Sequence, residues 1–113
     1  MAKKAKDIRW VYKNIERLVV IDVRAPHEYK ERGMSEAINI PIADLVPNHA
    51  KYLSKYLPKK VEIYVMCNDG RRAERAIDAL SKFGYNLVLC EGGLKSIQLK
   101  SEIKSQEAIG YGF

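Results

Sequence analysis

The stretch VEIYVMCNDGRRAERAIDAL, residues 61–80, places a short apolar run, a polar turn and an amphipathic segment in direct succession. Val61–Met66 is short and rich in β-branched residues, which predicts a buried strand. After Gly70, apolar side chains recur at helical spacing, which predicts a helix that ends at Gly84. A strand that turns directly into a helix is the building unit of α/β proteins with a parallel sheet.

The same alternation continues on both sides of this stretch. Leu18–Ile21 and Leu87–Cys90 are further short apolar runs, and their near-continuous apolarity predicts strands covered on both faces. Helical patterns lie at residues 7–15, where Asp7 can cap the first turn, and at residues 47–58, where Pro58 stops the helix. The predicted fold is a single α/β domain with an open parallel sheet flanked by helices, and sites in such folds gather at the carboxyl ends of the strands.

Length and composition are those of one compact domain. The chain has 113 residues, 47% of them hydrophobic and 30% charged, which is enough for one core without a disulfide or metal staple. We expect a basic, disordered segment over residues 1–6 and a folded domain over residues 7–113. No apolar run approaches the ~18 residues of a membrane span, so we expect a cytoplasmic protein with no membrane partner.

The net charge of +6 comes mainly from two lysine-rich tracts, residues 1–6 and residues 51–60, neither of which contains an acid. The rest of the chain is nearly neutral. No motif that reads RNA or DNA accompanies these tracts, so we expect solvated lysines and no nucleic-acid partner; a nucleic-acid role for the lysine-rich helix is the weakest alternative.

The turn that begins at Cys67 has the features of a nucleophilic site. It joins a buried strand to a helix, so the sulfur lies near the positive end of the helix dipole, where a thiolate is favoured. Arg71 and Arg72 add positive charge, and Gly70 permits the tight turn that converges backbone N–H groups on an anion. The alternative is that Cys67 is a small buried residue at the end of a strand.

Four segments, in order, resemble those of the rhodanese family of sulfurtransferases. Residues 67–73 resemble its C-x-x-G-x-R-[SA] active-site loop, and residues 22–29 resemble its D-x-R-x-x-x-E-[YF] segment. Residues 37–41 resemble its A-x-N-I-P stretch, and residues 91–93 its Gly-Gly turn. The resemblance covers roughly residues 18–97.

The resemblance implies a rhodanese-like open parallel sheet and a sulfurtransferase that carries sulfane sulfur as a persulfide on Cys67. The donor would be a small anion such as thiosulfate, or a persulfide or polysulfide, including a protein persulfide; the acceptor would be a thiol or cyanide. No metal or organic cofactor is implied. The backbone N–H groups of the loop would hold the persulfide charge. The substrate-binding residues implied by the motif are Asn68, Asp69, Gly70, Arg71, Arg72 and Ala73.

Loop length argues against phosphate chemistry. Cysteine phosphatases need an arginine six positions after the cysteine for bidentate phosphate contact. Here that position is Ala73, and Arg72 comes five positions after Cys67. The loop therefore resembles the tighter rhodanese type, which disfavours a phosphatase or an arsenate reductase. The remaining rival is a rhodanese-fold module that senses anions or binds a protein, with little turnover.

Three upstream residues are expected to support the site structurally. Asp22 would accept hydrogen bonds that brace the neighbouring loop, and Arg24 would pair with Glu28.

Two other residues leave alternatives open. Asp69 opposes both a thiolate and an anionic donor if its carboxylate points inward, and has no such effect if it turns outward or pairs with Arg71 or Arg72. If it points inward, thiosulfate would be a poor donor. Cys90 is interpreted as a small core residue, and a Cys67–Cys90 disulfide with a redox role is the alternative.

Overall fold

The computed structural model describes residues 3–100 and 102, and its centre is a five-stranded sheet. The strand order is β1-β5-β4-β2-β3, and every neighbouring pair is parallel. The predicted open parallel α/β fold is confirmed. Residues 103–113, the end of the predicted domain, lie outside the described residues. The strands are β1 (Ala5–Asp7), β2 (Val19–Asp22), β3 (Ile38–Asn39), β4 (Glu62–Met66) and β5 (Asn86–Glu91).

Five α-helices connect these strands. The three predicted helical segments form, although the middle one is shorter than its pattern and continues as a 3₁₀ turn over Ser54–Tyr56. At the first helix, the Asp7 carboxylate accepts the Arg9 N–H at 2.7 Å, as predicted for a cap. No helix in the described part of the chain has the length and apolarity to cross a membrane. The helices are α1 (Ile8–Asn14), α2 (Pro26–Glu31), α3 (Ile42–Leu45), α4 (His49–Leu53) and α5 (Arg71–Leu80).

The sheet separates two apolar layers. Ile63 and Val65 of β4 face the layer that contains Leu45, Leu53 and the buried side of α5. Alternate residues of β4 and β5 face the other layer, which contains the buried side of α1. Side chains are therefore sorted by position along each strand, and neighbours in sequence lie on opposite sides of the sheet.

The prediction of a disordered segment over residues 1–6 is wrong for Ala5 and Lys6. With Asp7 they form β1, which pairs with β5 in the register Ala5–Leu89, Lys6–Cys90 and Asp7–Glu91. All three residues of β1 are exposed. The strand forms through backbone hydrogen bonds at the sheet edge, so it has no apolar pattern that the sequence could show. Residues 1–2 lie outside the described residues.

The sheet register brings the motif segments together at one edge. Asp22 at the end of β2 lies opposite Met66 at the end of β4, and the Val23 N–H donates to the Met66 carbonyl at 3.0 Å. The turn after β5 begins beside the same edge, because β5 is the other neighbour of β4. Cys67 therefore follows the central strand, with the ends of β2 and β5 on either side.

Candidate active site

The Cys67 sulfur lies in a cradle of backbone N–H groups at the start of α5. Its Sγ accepts the N–H of Gly70 at 3.1 Å and that of Ala73 at 3.4 Å. Gly70 has a φ of +95°, a left-handed conformation that glycine adopts without a Cβ penalty. The ten residues of α5 direct the positive end of the helix dipole at the sulfur. Cys67 is fully buried, so its sulfur is the floor of the cradle.

Not every loop N–H faces the sulfur. The Arg71 N–H donates to the Asp69 carboxylate at 3.0 Å and not to the Cys67 sulfur. Asp69 competes for this donor because its side chain sits two residues before Arg71, the usual spacing of a turn closed by an aspartate.

The turn after β5 fixes the loop from behind. The N–H of Leu94 donates to the Cys67 carbonyl at 2.9 Å, and the N–H of Lys95 donates to the Asn68 carbonyl at 3.0 Å. Gly93 is buried, has a φ of +69°, and lies so close to the loop that a Cβ there would be 2.3 Å from the Asn68 oxygen. The Gly-Gly turn is therefore a close-packed support for the cradle.

Gly93→Ala will displace the loop. We expect the free energy of unfolding to fall by about 1–3 kcal/mol beyond the strain of the left-handed backbone, because the methyl group overlaps the Asn68 backbone. Amide resonances of residues 68–73 should shift in NMR spectra. Gly84→Ala is the matched control: its φ is +86°, but its Cβ would meet only Leu57, at 3.9 Å. Equal destabilisation by the two variants, with loop resonances unmoved, would contradict close packing at Gly93.

Arg72 is held by a carboxylate from α2. Its Nη1 donates to the two Glu28 oxygens at 2.8 and 3.2 Å. This hydrogen bond is the main reason that the pKa of Glu28 lies below its ordinary value. Arg71, by contrast, extends into solvent and its Nε lies 3.2 Å from an Asp69 oxygen. Both predicted loop arginines are thus paired, one with α2 and one within the loop.

Arg24 pairs with Asp22, and the predicted Arg24–Glu28 pair is wrong. The Asp22 carboxylate accepts the Arg24 backbone N–H at 3.0 Å and its Nη2 at 2.7 Å. Both residues are buried. Arg24 also donates to the Arg32 carbonyl at 2.7 Å, whereas it reaches Glu28 only at the backbone carbonyl, at 3.5 Å. The Glu28 carboxylate turns to Arg72 because α2 brings it to the start of α5.

The sequence leaves open whether the Asp69 carboxylate points towards the nucleophile or pairs with an arginine, and in the structure it does both. It pairs with Arg71, and its Oδ1 also lies 3.9 Å from the Cys67 sulfur. The hydrogen bond from the Arg71 N–H is the main cause that lowers the pKa of Asp69 below its ordinary value, so the group is charged near neutral pH. A negative charge therefore stands next to the nucleophile.

Cys90 is a buried core residue on the other face of the sheet. It packs in the layer with α1, whereas Cys67 packs in the layer with α5. Both thiols are free, so the alternative of a Cys67–Cys90 disulfide is not realised. Burial is the main cause that raises the pKa of Cys90 to about 12.

The comparison with protein families agrees with this geometry. The model of the family described as Rhodanese-like domain matches residues 7–100. The chain belongs to the rhodanese family. The predicted family is thereby confirmed, and the rhodanese match includes every segment on which the resemblance rested.

Known rhodanese proteins of similar size are among the relatives. The chain is 36% identical over 80 residues to the thiosulfate sulfurtransferase PspE of Escherichia coli, covering 70% of this chain and 73% of PspE. A rhodanese-related protein from Thermoplasma volcanium superposes with a TM-score of 0.64 at 31% identity, covering 90% of this chain and 92% of that one. A structure of an E. coli rhodanese with anions gives a TM-score of 0.57 at 36% identity, covering 72% and 92%.

Some relatives are longer proteins. The chain spans between 18% and 53% of the length of the other five curated relatives that it matches.

Two cavities flank the cysteine loop of this rhodanese domain. The first, of about 250 Å³, is lined by Asp69, Arg71, Glu74 and Glu91 among others, and we call it the acidic cavity. The second, of about 260 Å³, is lined by Arg24, Glu28, Glu31, Arg32, Asn68 and Arg72, and we call it the arginine cavity. Of the predicted loop residues, Asn68 and Arg72 thus face one side and Asp69 and Arg71 the other.

Sequence reasoning missed four charged residues of these cavities. Glu74 follows Arg71 by one helical turn, a spacing that could have placed it on the same side of α5. Glu31 and Arg32 carry no such local signal, because tertiary packing alone brings them to the loop. Glu91 lies in the segment 91–93, whose place at the end of a predicted strand could have indicated a position at this edge of the sheet. Among the described residues, no three histidine, cysteine or acidic side chains come together in a group able to hold a metal ion.

Proposed function

We propose that this chain is a sulfurtransferase that moves sulfane sulfur through a persulfide on Cys67. The observation that carries the proposal is the cradle, in which the Cys67 Sγ accepts two backbone N–H groups at the start of α5. A thiolate needs this kind of positive environment to act as a nucleophile. Similarity to PspE, named a thiosulfate sulfurtransferase, supports the same reaction class.

The first half-reaction loads the cysteine. The Cys67 thiolate attacks the outer sulfur of thiosulfate, a new S–S bond forms, the old S–S bond breaks, and sulfite leaves with the electron pair. The product is a Cys67 persulfide anion, so the total charge is unchanged. The N–H groups of Gly70 and Ala73 stabilise negative charge on the sulfur throughout, as donors of an oxyanion hole do.

The second half-reaction removes the sulfane sulfur from Cys67. An acceptor thiolate or cyanide attacks the terminal sulfur, the S–S bond to Cys67 breaks, and the Cys67 thiolate is restored. The products are an acceptor persulfide or thiocyanate. Atoms and charge balance without a metal or an organic cofactor, and the covalent intermediate implies ping-pong kinetics.

Intact-mass measurement tests the proposal. After incubation with thiosulfate or with polysulfide, the protein should gain the mass of one sulfur atom, and cyanide should remove it as thiocyanate. Cys90→Ala is the control and should load as the parent does, because Cys90 lies on the other face of the sheet. Absence of the adduct with both donors would overturn the enzyme and leave a binding or regulatory module.

A further inference from the structure

The side of the loop that carries Asp69 is negatively charged. Three carboxylates line the acidic cavity, those of Asp69, Glu74 and Glu91, against the single guanidinium of Arg71. Arg71 is already paired with Asp69 at 3.2 Å. Lys95 adds one positive charge near Asp69. An anion that approaches Cys67 from this side meets a net negative surface.

The arginine cavity does not offset this charge. Arg24 pairs with Asp22 and Arg72 pairs with Glu28, in each case with a shortest N–O distance of 2.7 to 2.8 Å. The third guanidinium, that of Arg32, pairs with Glu102. Among the described residues, each guanidinium that lines this cavity therefore already has a carboxylate partner. A dianionic donor finds no unpaired guanidinium there for its distal oxygens.

We propose that Asp69 makes Cys67 select sulfur donors by charge, against dianions such as thiosulfate and in favour of organic persulfides whose sulfane sulfur is next to a neutral or cationic group. The inference rests on the proposed sulfurtransferase function. Its basis is the 3.9 Å separation between the Asp69 Oδ1 and the Cys67 sulfur, which puts a donor's reacting sulfur within a few ångströms of a fixed negative charge. Coulomb repulsion there scales with the charge of the donor.

The favoured donor transfers its terminal sulfur to Cys67 and leaves as a thiolate. The Cys67 thiolate attacks the terminal sulfur of R–S–SH, an S–S bond to Cys67 forms, the bond within the donor breaks, and R–S⁻ leaves with the electron pair. Cys67 then carries –S–SH. The terminal sulfur of R–S–SH is uncharged, so it brings no negative charge towards Asp69. Thiosulfate, by contrast, carries two negative charges, shared by its outer sulfur and its oxygens.

Asp69→Asn tests the selection with three donors of graded charge. The amide oxygen keeps its size and can still accept the Arg71 N–H, so the turn is preserved while the charge is lost. The donors are thiosulfate, the monoanion methanethiosulfonate, and cysteamine persulfide, which carries an ammonium group. The measured quantity is the second-order rate of sulfur loading on Cys67, followed by quenched intact mass. Any change in the intrinsic reactivity of Cys67 affects all three donors equally and cancels in the comparison.

The expected gain follows the donor charge. Relative to cysteamine persulfide, whose reacting form carries one positive charge, loading by thiosulfate should rise about thirtyfold and loading by methanethiosulfonate about tenfold, because the logarithm of the gain is proportional to the donor charge. The gains should shrink at high ionic strength.

Asp78→Asn is the matched control, since it makes the same change near the far end of α5, where Asp78 pairs with Lys3 at 2.7 Å. It should change none of the donor ratios. Equal gains for all three donors in Asp69→Asn would overturn selection by charge and leave the sulfurtransferase standing. No loading by any donor, in parent or variants, would overturn the sulfurtransferase itself.

Discussion

Cys67→Ser will abolish sulfur transfer and leave the protein folded. The rate of transfer to cyanide or to a thiol should fall by at least about a thousandfold, because a serine oxygen does not form the covalent sulfur intermediate. Stability should change by less than about 1 kcal/mol, because the hydroxyl is close to the thiol in size and can accept the N–H groups of Gly70 and Ala73. Steady-state kinetics and urea unfolding measure the two effects.

The control for this prediction is again Cys90→Ala, which should retain transfer. Two results would count against the role of Cys67. Sulfur transfer that persists in Cys67→Ser would show that another residue carries the sulfur. A Cys67→Ser protein that fails to fold, beside a folded Cys90→Ala, would instead favour Cys67 as a packing residue at the end of β4.

Of the single substitutions proposed in this protein, Asp22→Ala will produce the largest loss in the free energy of unfolding. It leaves the Arg24 guanidinium, whose side chain is 4% exposed, without its carboxylate. Removing one partner of a buried ion pair costs about 3–5 kcal/mol, since the remaining guanidinium keeps carbonyl acceptors but has no opposite charge beside it. Urea unfolding should show this decrease. The transfer rate of the folded fraction should also fall, because Arg24 lines the arginine cavity and Asp22 lies opposite the residue that precedes Cys67.

A second variant keeps this prediction testable if Asp22→Ala does not fold. In Asp22→Leu/Arg24→Met both charges are replaced by apolar groups, and this change should recover much of the stability that Asp22→Ala loses. Two results would contradict this prediction: a loss of less than about 1 kcal/mol in the free energy of unfolding of Asp22→Ala, or a double variant that is less stable than Asp22→Ala. Either result would show that the uncompensated Arg24 charge does not determine the stability of Asp22→Ala.

The parts of the fold that the sequence predicts are those with local signals. Met66, Gly70 and the apolar spacing after it define β4, the turn and α5 within one stretch, and the structure has them in that order. β1 is not predicted, because its three residues are exposed and pair with β5 through the backbone, which leaves no apolar pattern in the sequence.

The ion-pair partners of charged residues, unlike these elements, depend on tertiary packing. Arg24 has two acids within reach in sequence, and spacing alone does not select between Asp22 and Glu28. The selection depends on where α2 lies, which brings Glu28 to Arg72. For Asp69, pairing with Arg71 and proximity to the sulfur coexist, a combination that depends on the exact conformation of the loop.

If Cys67 carries sulfur as proposed, the placement of the two cysteines on opposite faces of the sheet sets the lifetime of the loaded state. The chain has only two cysteines, and the second faces away from the first. A sulfur carried on Cys67 therefore has no thiol of the same chain to displace it from within the fold. Discharge depends on collision with a second molecule, so the dwell time of the sulfur is set by the acceptor concentration. On the proposed mechanism, the loaded protein would hold activated sulfur whenever acceptors are scarce.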